Sequence, residues 1–461
     1  MKKAVGEGQS QIKRNYYNQI FRLVLPIALQ NLLSAAVSSA DVIMLNYVGQ
    51  SAISAVSLAS QYTSVLFMVF YGLGTGATML CSQYYGKKDY QAIRAVEGIA
   101  LRFSIPAALM FALLAFFFPT QVMTVFTNES ELIVLGAQYL RLMGVAYLCW
   151  GLTEVYLAVL RSIGKVKISM FLNILAFAMN VVLNAVFIFG LFGAPKLGVQ
   201  GVAIATSVSR LLQLVGCMLV SVREQEIKLK LSLVFVRNKL LLTDFLKMAL
   251  PALGNDVAWG LAFSMYSVIL GHLGSDVVAA NSIVTVVRNF GTVLCYGVAS
   301  GGCILVGNIL GEKRMEDARY AAKLVMRLTV ITGLLGGAIV LLVMPFVIHF
   351  ASISDTALGY LKVMMLINSY YIMGTAVNTT LIAGIFRAGG DSRFGLICDV
   401  IDMWCYAVPL GFLAAFVWKL PVMWVYFLLC TDEFVKWPWV IRNYVSGKWM
   451  KNITRENLEY E

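Results

Sequence analysis

Asp41, Asn180, Asn184 and Thr206 offer one carboxylate, two carboxamides and a hydroxyl from segments that are otherwise apolar. Oxygen donors of this kind suit a hard cation such as Na⁺, or a proton carried on the carboxylate. Asn180 and Asn184 are four residues apart, so a helix puts them on one face. Asp41 lies about eight residues inside its apolar run, roughly 12 Å from the end at 1.5 Å per residue. A second charged set pairs Asp399 with Asp402 and Glu433 with Lys436, each at i, i+3 spacing. Two readings of that set stay open. It is either an interhelical salt-bridge network that neutralises buried charge, or a second site for a cation or a cationic substrate. Asp256 and Glu154 extend the acidic group, with Arg210 and Arg288 as candidate partners. Ionisable groups at bilayer depth are costly, so each needs a reason to be there.

The elements that carry these groups follow from composition. The chain has 461 residues, 59% hydrophobic and 13% charged, too apolar for a soluble fold without large exposed patches. Spans of about 20 residues predict twelve transmembrane helices, near 20–48, 56–81, 95–118, 133–158, 168–192, 198–222, 243–271, 278–309, 320–349, 357–385, 394–418 and 421–441. The expected class is all-α, a polytopic membrane protein. Pro26 and Pro251 fall inside helical runs, where a missing N–H and a ring clash produce a kink. Such a kink serves either as a gate or as a bent packing element.

Basic residues set the expected orientation. One group of loops carries 26 Lys and Arg, and the opposite group carries only Lys196 and Lys419. Both termini are therefore expected on the cytoplasmic side of a bacterial inner membrane. The net charge of +12 reflects this asymmetry and attraction to anionic headgroups, with no nucleic-acid partner implied. The lipid bilayer is the expected surrounding and a monomer the expected state. No cofactor is expected beyond a coupling ion. Neither of the two histidines sits in an HExxH pattern, and no phosphate-binding or dinucleotide-binding glycine motif occurs, so an enzyme is not expected. The eight cysteines form no CxxC pair and most lie in apolar runs, where they act as small hydrophobes.

The chain repeats itself. Pro26 and Pro251, Gly49 and Gly274, Gly72 and Gly297, Gly76 and Gly301, and Gly86 and Gly311 each differ by 225. Arg161-Ser162-Ile163-Gly164 answers Arg387-Ala388-Gly389-Gly390 at a shift of 226. Six helices per copy is an even number, so both copies enter the membrane in the same direction. The organisation predicted is an N-lobe over 1–222 (helices 1–6), a cytoplasmic linker over 223–242 read as an interfacial helix, and a C-lobe over 243–461. Gly72-x-x-x-Gly76 and Gly297-x-x-x-Gly301 are faces that let helices approach closely.

Several ordered motifs resemble one known family. They are Leu25-Pro26 with Ser39-Ala40-Asp41-Val42-Ile43-Met44 and Gly49, then Asn180-Val181-Val182-Leu183-Asn184 with Phe187-Ile188-Phe189-Gly190 and Leu197-Gly198-Val199-Gln200-Gly201. In the second half come Arg387-Ala388-Gly389-Gly390-Asp391-Ser392-Arg393-Phe394, Asp399, Trp404, Pro409, Glu433 and Lys436. Across nearly the whole chain, this resembles the multidrug and toxic compound extrusion (MATE) family. The resemblance implies two pseudo-symmetric six-helix lobes and an antiporter that exports amphipathic, cationic compounds in exchange for Na⁺ or H⁺. It also implies that the family's N-lobe cation site falls on Asp41, Asn180, Asn184 and Thr206. Asn184 stands where an aspartate is common, which leaves one carboxylate instead of two. Two other classes remain as alternatives: a flippase for lipid-linked saccharides built on the same architecture, and a channel. The acidic excess of the interior favours cationic cargo over a diphosphate.

Overall fold

A hydrocarbon interior offers no partner for a bare N–H or C=O, so a chain that enters it closes its hydrogen bonds within helices. The computed structural model describes residues 2–224, 226–229, 231–235, 238–351, 353–456 and 458. Among the described residues there are helices and no β-strand. The first six long runs are α1 (Lys2–Asn46), α2 (Gln50–Gly86), α3 (Tyr90–Phe117), α4 (Ser130–Ser162), α5 (Val166–Phe189) and α6 (Val199–Arg223). The next three are α7 (Lys239–His272), α8 (Ser275–Gly311) and α9 (Met315–Phe350). Then α10 (Asp355–Asn378) passes into a π-helix over Thr379–Phe386, and α11 (Ser392–Asp399) does so over Val400–Ala407. The last run, α12, is broken into Val422–Leu429, Asp432–Val435 and Trp437–Ser446. Nine spans among the described residues are long and apolar enough to cross a membrane. Several helices, α1 most clearly, run past the apolar stretch that predicted them, because their polar flanks are also good helix formers.

The chain divides into two compact units. The N-unit comprises Leu29–Ala249 with Arg455–Glu461, and the C-unit comprises Met1–Ala28 with Leu250–Thr454. Both cuts fall inside a helix, beside Pro26 in α1 and beside Pro251 in α7, whereas the boundaries read from sequence follow the linker.

Between α6 and α7 the linker differs from the interfacial helix expected of it. Its described residues hold a single 3₁₀ turn, Leu231–Phe235, and Lys230 and Arg237 lie outside the described residues. Arginines of α3 hold the described part of the linker. Arg94 Nε donates to Glu226 O at 2.8 Å, and Arg102 Nε and Nη2 donate to Val234 O at 2.9 and 2.8 Å. The C-terminal tail is tied to the same unit, where Arg455 Nε and Nη2 donate to Asp244 at 2.5 and 2.9 Å.

The 225-residue repeat reappears as backbone conformation. Gly49 and Gly274 both hold positive φ, at 138° and 125°, and Lys88 and Lys313 share the left-handed region at 62° and 61°. Gly164 and Gly390 match at 78° and 75°. The close approaches repeat too. A Cβ on Gly76 would stand 2.5 Å from Ala249 Cβ, and one on Gly301 would stand 2.8 Å from Val24 Cγ2. Val24 and Ala249 are themselves 225 apart, so each unit packs an α2-type helix on the equivalent residue of an α1-type helix. The two sites differ in what can yield. Ala249 Cβ is fixed to the backbone, while a valine methyl can turn aside. Gly76→Ala should therefore lose more stability than Gly301→Ala, about 1–3 kcal/mol for overpacking. Thermal unfolding of the two variants in one detergent checks the order.

Candidate functional site

In the N-unit, helical spacing on α5 stacks Asn180 below Asn184, and both are buried. Asn184 Nδ2 donates to Asp41 Oδ1 of α1 at 2.6 Å and to Asn180 Oδ1 at 3.2 Å. Asn180 Nδ2 in turn donates to Thr206 Oγ1 of α6 at 3.1 Å. The Thr206 hydroxyl closes the series on Val202 O at 2.9 Å. All four residues singled out in the sequence are thus joined, Thr206 to Asp41 through the two amides, with the donations running outward from Asn184 Nδ2 to Asp41 on one side and through Asn180 to Thr206 on the other. Two acceptors stay open: Asn184 Oδ1 is buried and meets no donor, and Asp41 Oδ2 receives no hydrogen bond from a described residue. A buried oxygen without a donor is costly unless something positive or protic meets it. The set fits a small cation or a proton.

Asp41 opens on a cavity of about 250 Å³ lined also by Tyr139, Trp150, Asn180, Thr206 and Arg210. Arg210 makes no ion pair among the described residues. Its guanidinium lies 4.5 Å over the Trp150 ring, and Nη1 donates to Gln213 Oε1 at 2.9 Å. Glu154, for which Arg210 was a candidate partner, is held by Arg161 at 3.1 Å.

The C-unit contains a denser array. Lys436 Nζ stands 3.1 Å from Asp399 Oδ1, 3.5 Å from Asp402 Oδ2 and 3.4 Å from Glu433 Oε2. The break in α12 frees the Glu433 carbonyl, which accepts from Asn378 Nδ2 at 2.6 Å, and the same nitrogen donates to Glu433 Oε2 at 2.5 Å. Asp399 Oδ2 accepts from Asn255 Nδ2 at 2.7 Å. Asp256 joins this array through Arg387 and not through Arg288. Arg387 Nη2 lies 2.7 Å from Asp256 Oδ1 and 3.0 Å from Asn255 Oδ1. The sequence counted Arg387 among loop cations, yet it is only 2% exposed.

Sequence reasoning missed two buried acids. Asp432 is fully buried and accepts from Tyr266 Oη at 2.9 Å; beside Glu433 it drew no separate notice. Glu97 is fully buried on α3, and neither carboxyl oxygen meets a donor. A glutamate two turns into a helix reads as a solvated end, and only the adjacent Gly98, whose Cβ would meet Leu233 O at 2.1 Å, hints that the linker covers it. Asp399, Asp402 and Glu433 thus lie within 3.5 Å of one lysine, and the buried Asp432 adjoins Glu433 in the chain. If all were ionised, four carboxylates against one ammonium would leave three buried negative charges, an arrangement that needs protons or a bound cation. Pro26 and Pro251 sit inside continuous helices, so both candidate gates are helical at rest.

Comparison with known proteins places these features in context. The description of the MatE family matches residues 26–186 and again 257–413, one stretch for each sequence repeat. An uncharacterized transporter of Bacillus subtilis, YisQ, is 25% identical over 94% of this chain and 95% of its own length. A probable multidrug resistance protein NorM of Thermotoga maritima is 22% identical, covering 96% of this chain and 95% of itself. Among solved structures, MATE in the straight conformation superposes with a TM-score of 0.84 at 19% identity, over 93% of this chain and 96% of that one.

Proposed function

We propose that this chain, which belongs to the MatE family of multidrug and toxic compound extrusion transporters, is a secondary antiporter that exports amphipathic cations in exchange for Na⁺ or H⁺. The observation that carries the reading is the Asn184 amide, which donates to Asp41 and to Asn180 and keeps its own buried Oδ1 open. An entering ion finds one negative charge and neutral oxygens already oriented toward it. Loading neutralises Asp41 and removes the reason for the short Asn184 contact. The α1 helix can then bend at Pro26 and narrow the N-unit cavity against cargo. This is a two-state element biased by a local charge change. Tyr139 supplies a ring for an organic cation in that cavity, and Asp41 supplies its counter-charge.

In the same reading, the C-unit acids form a second ion site, with Asp399, Asp402 and Glu433 as ligands, Lys436 as internal counter-ion and Asp256 as an outlying member. Pro251 plays in α7 the part that Pro26 plays in α1. The protein works as a multi-pass monomer in a bacterial inner membrane with both termini cytoplasmic, and uses no cofactor and no nucleic-acid partner.

Everted membrane vesicles test the reading. Ethidium loading into vesicles carrying the protein should follow either an imposed Na⁺ gradient or an imposed pH gradient. Transport that ignores both gradients, or ethidium movement no faster than in empty-vector vesicles, would overturn it.

A further inference from the structure

Within the N-unit the linker is docked on α3 through its backbone. Arg94, Gly98 and Arg102 recur at i, i+4 and i+8, which puts them on one helix face, and each meets linker main chain. Arg94 donates to Glu226 O and Arg102 to Val234 O. Between them, Leu233 O comes so close to Gly98 that a Cβ there would stand 2.1 Å from it, a register that only glycine allows. From α6, Ser221 Oγ accepts from Leu229 N at 2.7 Å, and Ile227 of the linker is fully buried.

Beside this seam sits Glu97, fully buried, with no donor to either carboxyl oxygen. The hydroxyl of Tyr156 on α4 is buried and unpartnered as well. The groups that interact electrostatically with Glu97 are Arg94 of its own helix, Cys81 of α2 and Tyr156. Arg94 reaches the linker at Glu226 O and gives Glu97 no hydrogen bond. The linker's own acids are paired elsewhere, since Lys165 bridges to Glu224 and, at 3.4 Å, to Glu226. An ionised carboxylate with neither hydrogen bond nor paired charge is very costly at zero exposure. A metal cation or a proton would offset that cost. A hard cation such as Na⁺ needs several oxygens around it, and one carboxyl with one phenol falls short. For a proton, one carboxyl is enough.

We propose that Glu97 is a proton-binding site that latches the linker, which docks over the protonated acid and leaves when the acid ionises. The docked linker shuts water away from the carboxyl, so docking and the proton stabilise each other, and the coupling is reciprocal. Docking is complete while Glu97 holds its proton and weakens as pH rises past its ionisation. For one proton the limiting slope is about tenfold per pH unit. The linker runs directly into α7, so its release frees the chain that enters that helix. Asp41 and its partners take no part in the latch. That the latch reads the pH of the cytoplasm rests on the topology proposed above; the latch itself does not.

The test uses purified full-length protein in detergent, with the proton as the only probe. Hydrogen exchange, corrected for the intrinsic pH dependence of amide exchange, follows the linker. Infrared spectroscopy follows the C=O stretch of protonated carboxylic acids. In the wild type, protection at linker amides such as Leu229 should fall toward alkaline pH, by up to about tenfold per pH unit. Glu97→Gln, a neutral isostere, should keep the linker protected across the whole range. It should also lack one carboxylic C=O band that the wild type shows wherever its linker is protected. Gly98→Ala works from the other side, displacing Leu233 O without touching the acid. Its linker should lose protection, and the Glu97 band should vanish at a pH where the wild type keeps it. Wild-type linker protection that does not change with pH would overturn the proposal without any variant. A Glu97→Gln protein with wild-type pH dependence would do the same, as would a released linker in Gly98→Ala with the band unchanged. Protection that rises with Na⁺ at fixed pH would also overturn it, making the ligand a metal cation.

Discussion

Asp41→Asn gives a protein that folds, inserts and binds cargo but moves none of it against a gradient. The substitution is close to isosteric, and the new carboxamide oxygen can still accept the Asn184 hydrogen bond that now measures 2.6 Å. The chain through Asn180 to Thr206 therefore survives. What disappears is the only carboxylate of that chain. A neutral amide neither takes up a proton nor attracts Na⁺, so the ion no longer distinguishes one state of α1 from another. An ion without differential affinity shifts no equilibrium. Gradient-driven ethidium loading in everted vesicles should fall to the empty-vector level, while the melting temperature stays close to wild type. Wild-type rates with intact ion dependence would move the coupling site away from Asp41. The C-unit acids, beginning with Asp256, would then be the place to look.

Lys436→Met should be the most destabilising single change in the C-unit. The side chain is 4% exposed and lies within 3.5 Å of three carboxylates. Removing one partner of a buried ion pair leaves uncompensated charge and costs about 3–5 kcal/mol. Here Asp399, Asp402 and Glu433 would all lose the same cation. The expected result is a large fall in yield and melting temperature. Adding Asp402→Asn should recover part of that loss, because both Asp402 oxygens lack hydrogen-bond donors and the amide removes one charge. A double-mutant cycle on melting temperature measures the coupling. A Lys436→Met protein as stable as wild type but inactive would show that the ammonium serves transport and not cohesion.

Much of this architecture was legible in the chain because the controlling forces are local. Apolar runs of membrane length, glycines at a constant offset and prolines in register all survive as helices, turns and close approaches in the structure. Asn180 and Asn184 share a face because four residues make about one helical turn, a relation that no tertiary contact can alter. Even the left-handed backbone at Lys88 and Lys313 follows from a turn that occurs twice at the 225-residue offset.

The sequence could not state which side chains meet across helices. Asp256 has Arg387 as its partner, 131 positions away, and Glu154 has Arg161, seven positions along its own helix, although Arg288 and Arg210 were equally plausible by composition. Those choices depend on how each helix is rotated about its axis and how far it slides along its neighbour, and neither quantity is written in a hydrophobic pattern. The same holds for the break in α12, which turns Glu433 toward Asn378 and buries Asp432 beside it, and for the linker that covers Glu97. Composition and spacing thus determined the class, the repeat and the candidate ion-binding oxygens. Tertiary packing alone decided which of those oxygens remain open, because helix rotation sets which donors can reach them.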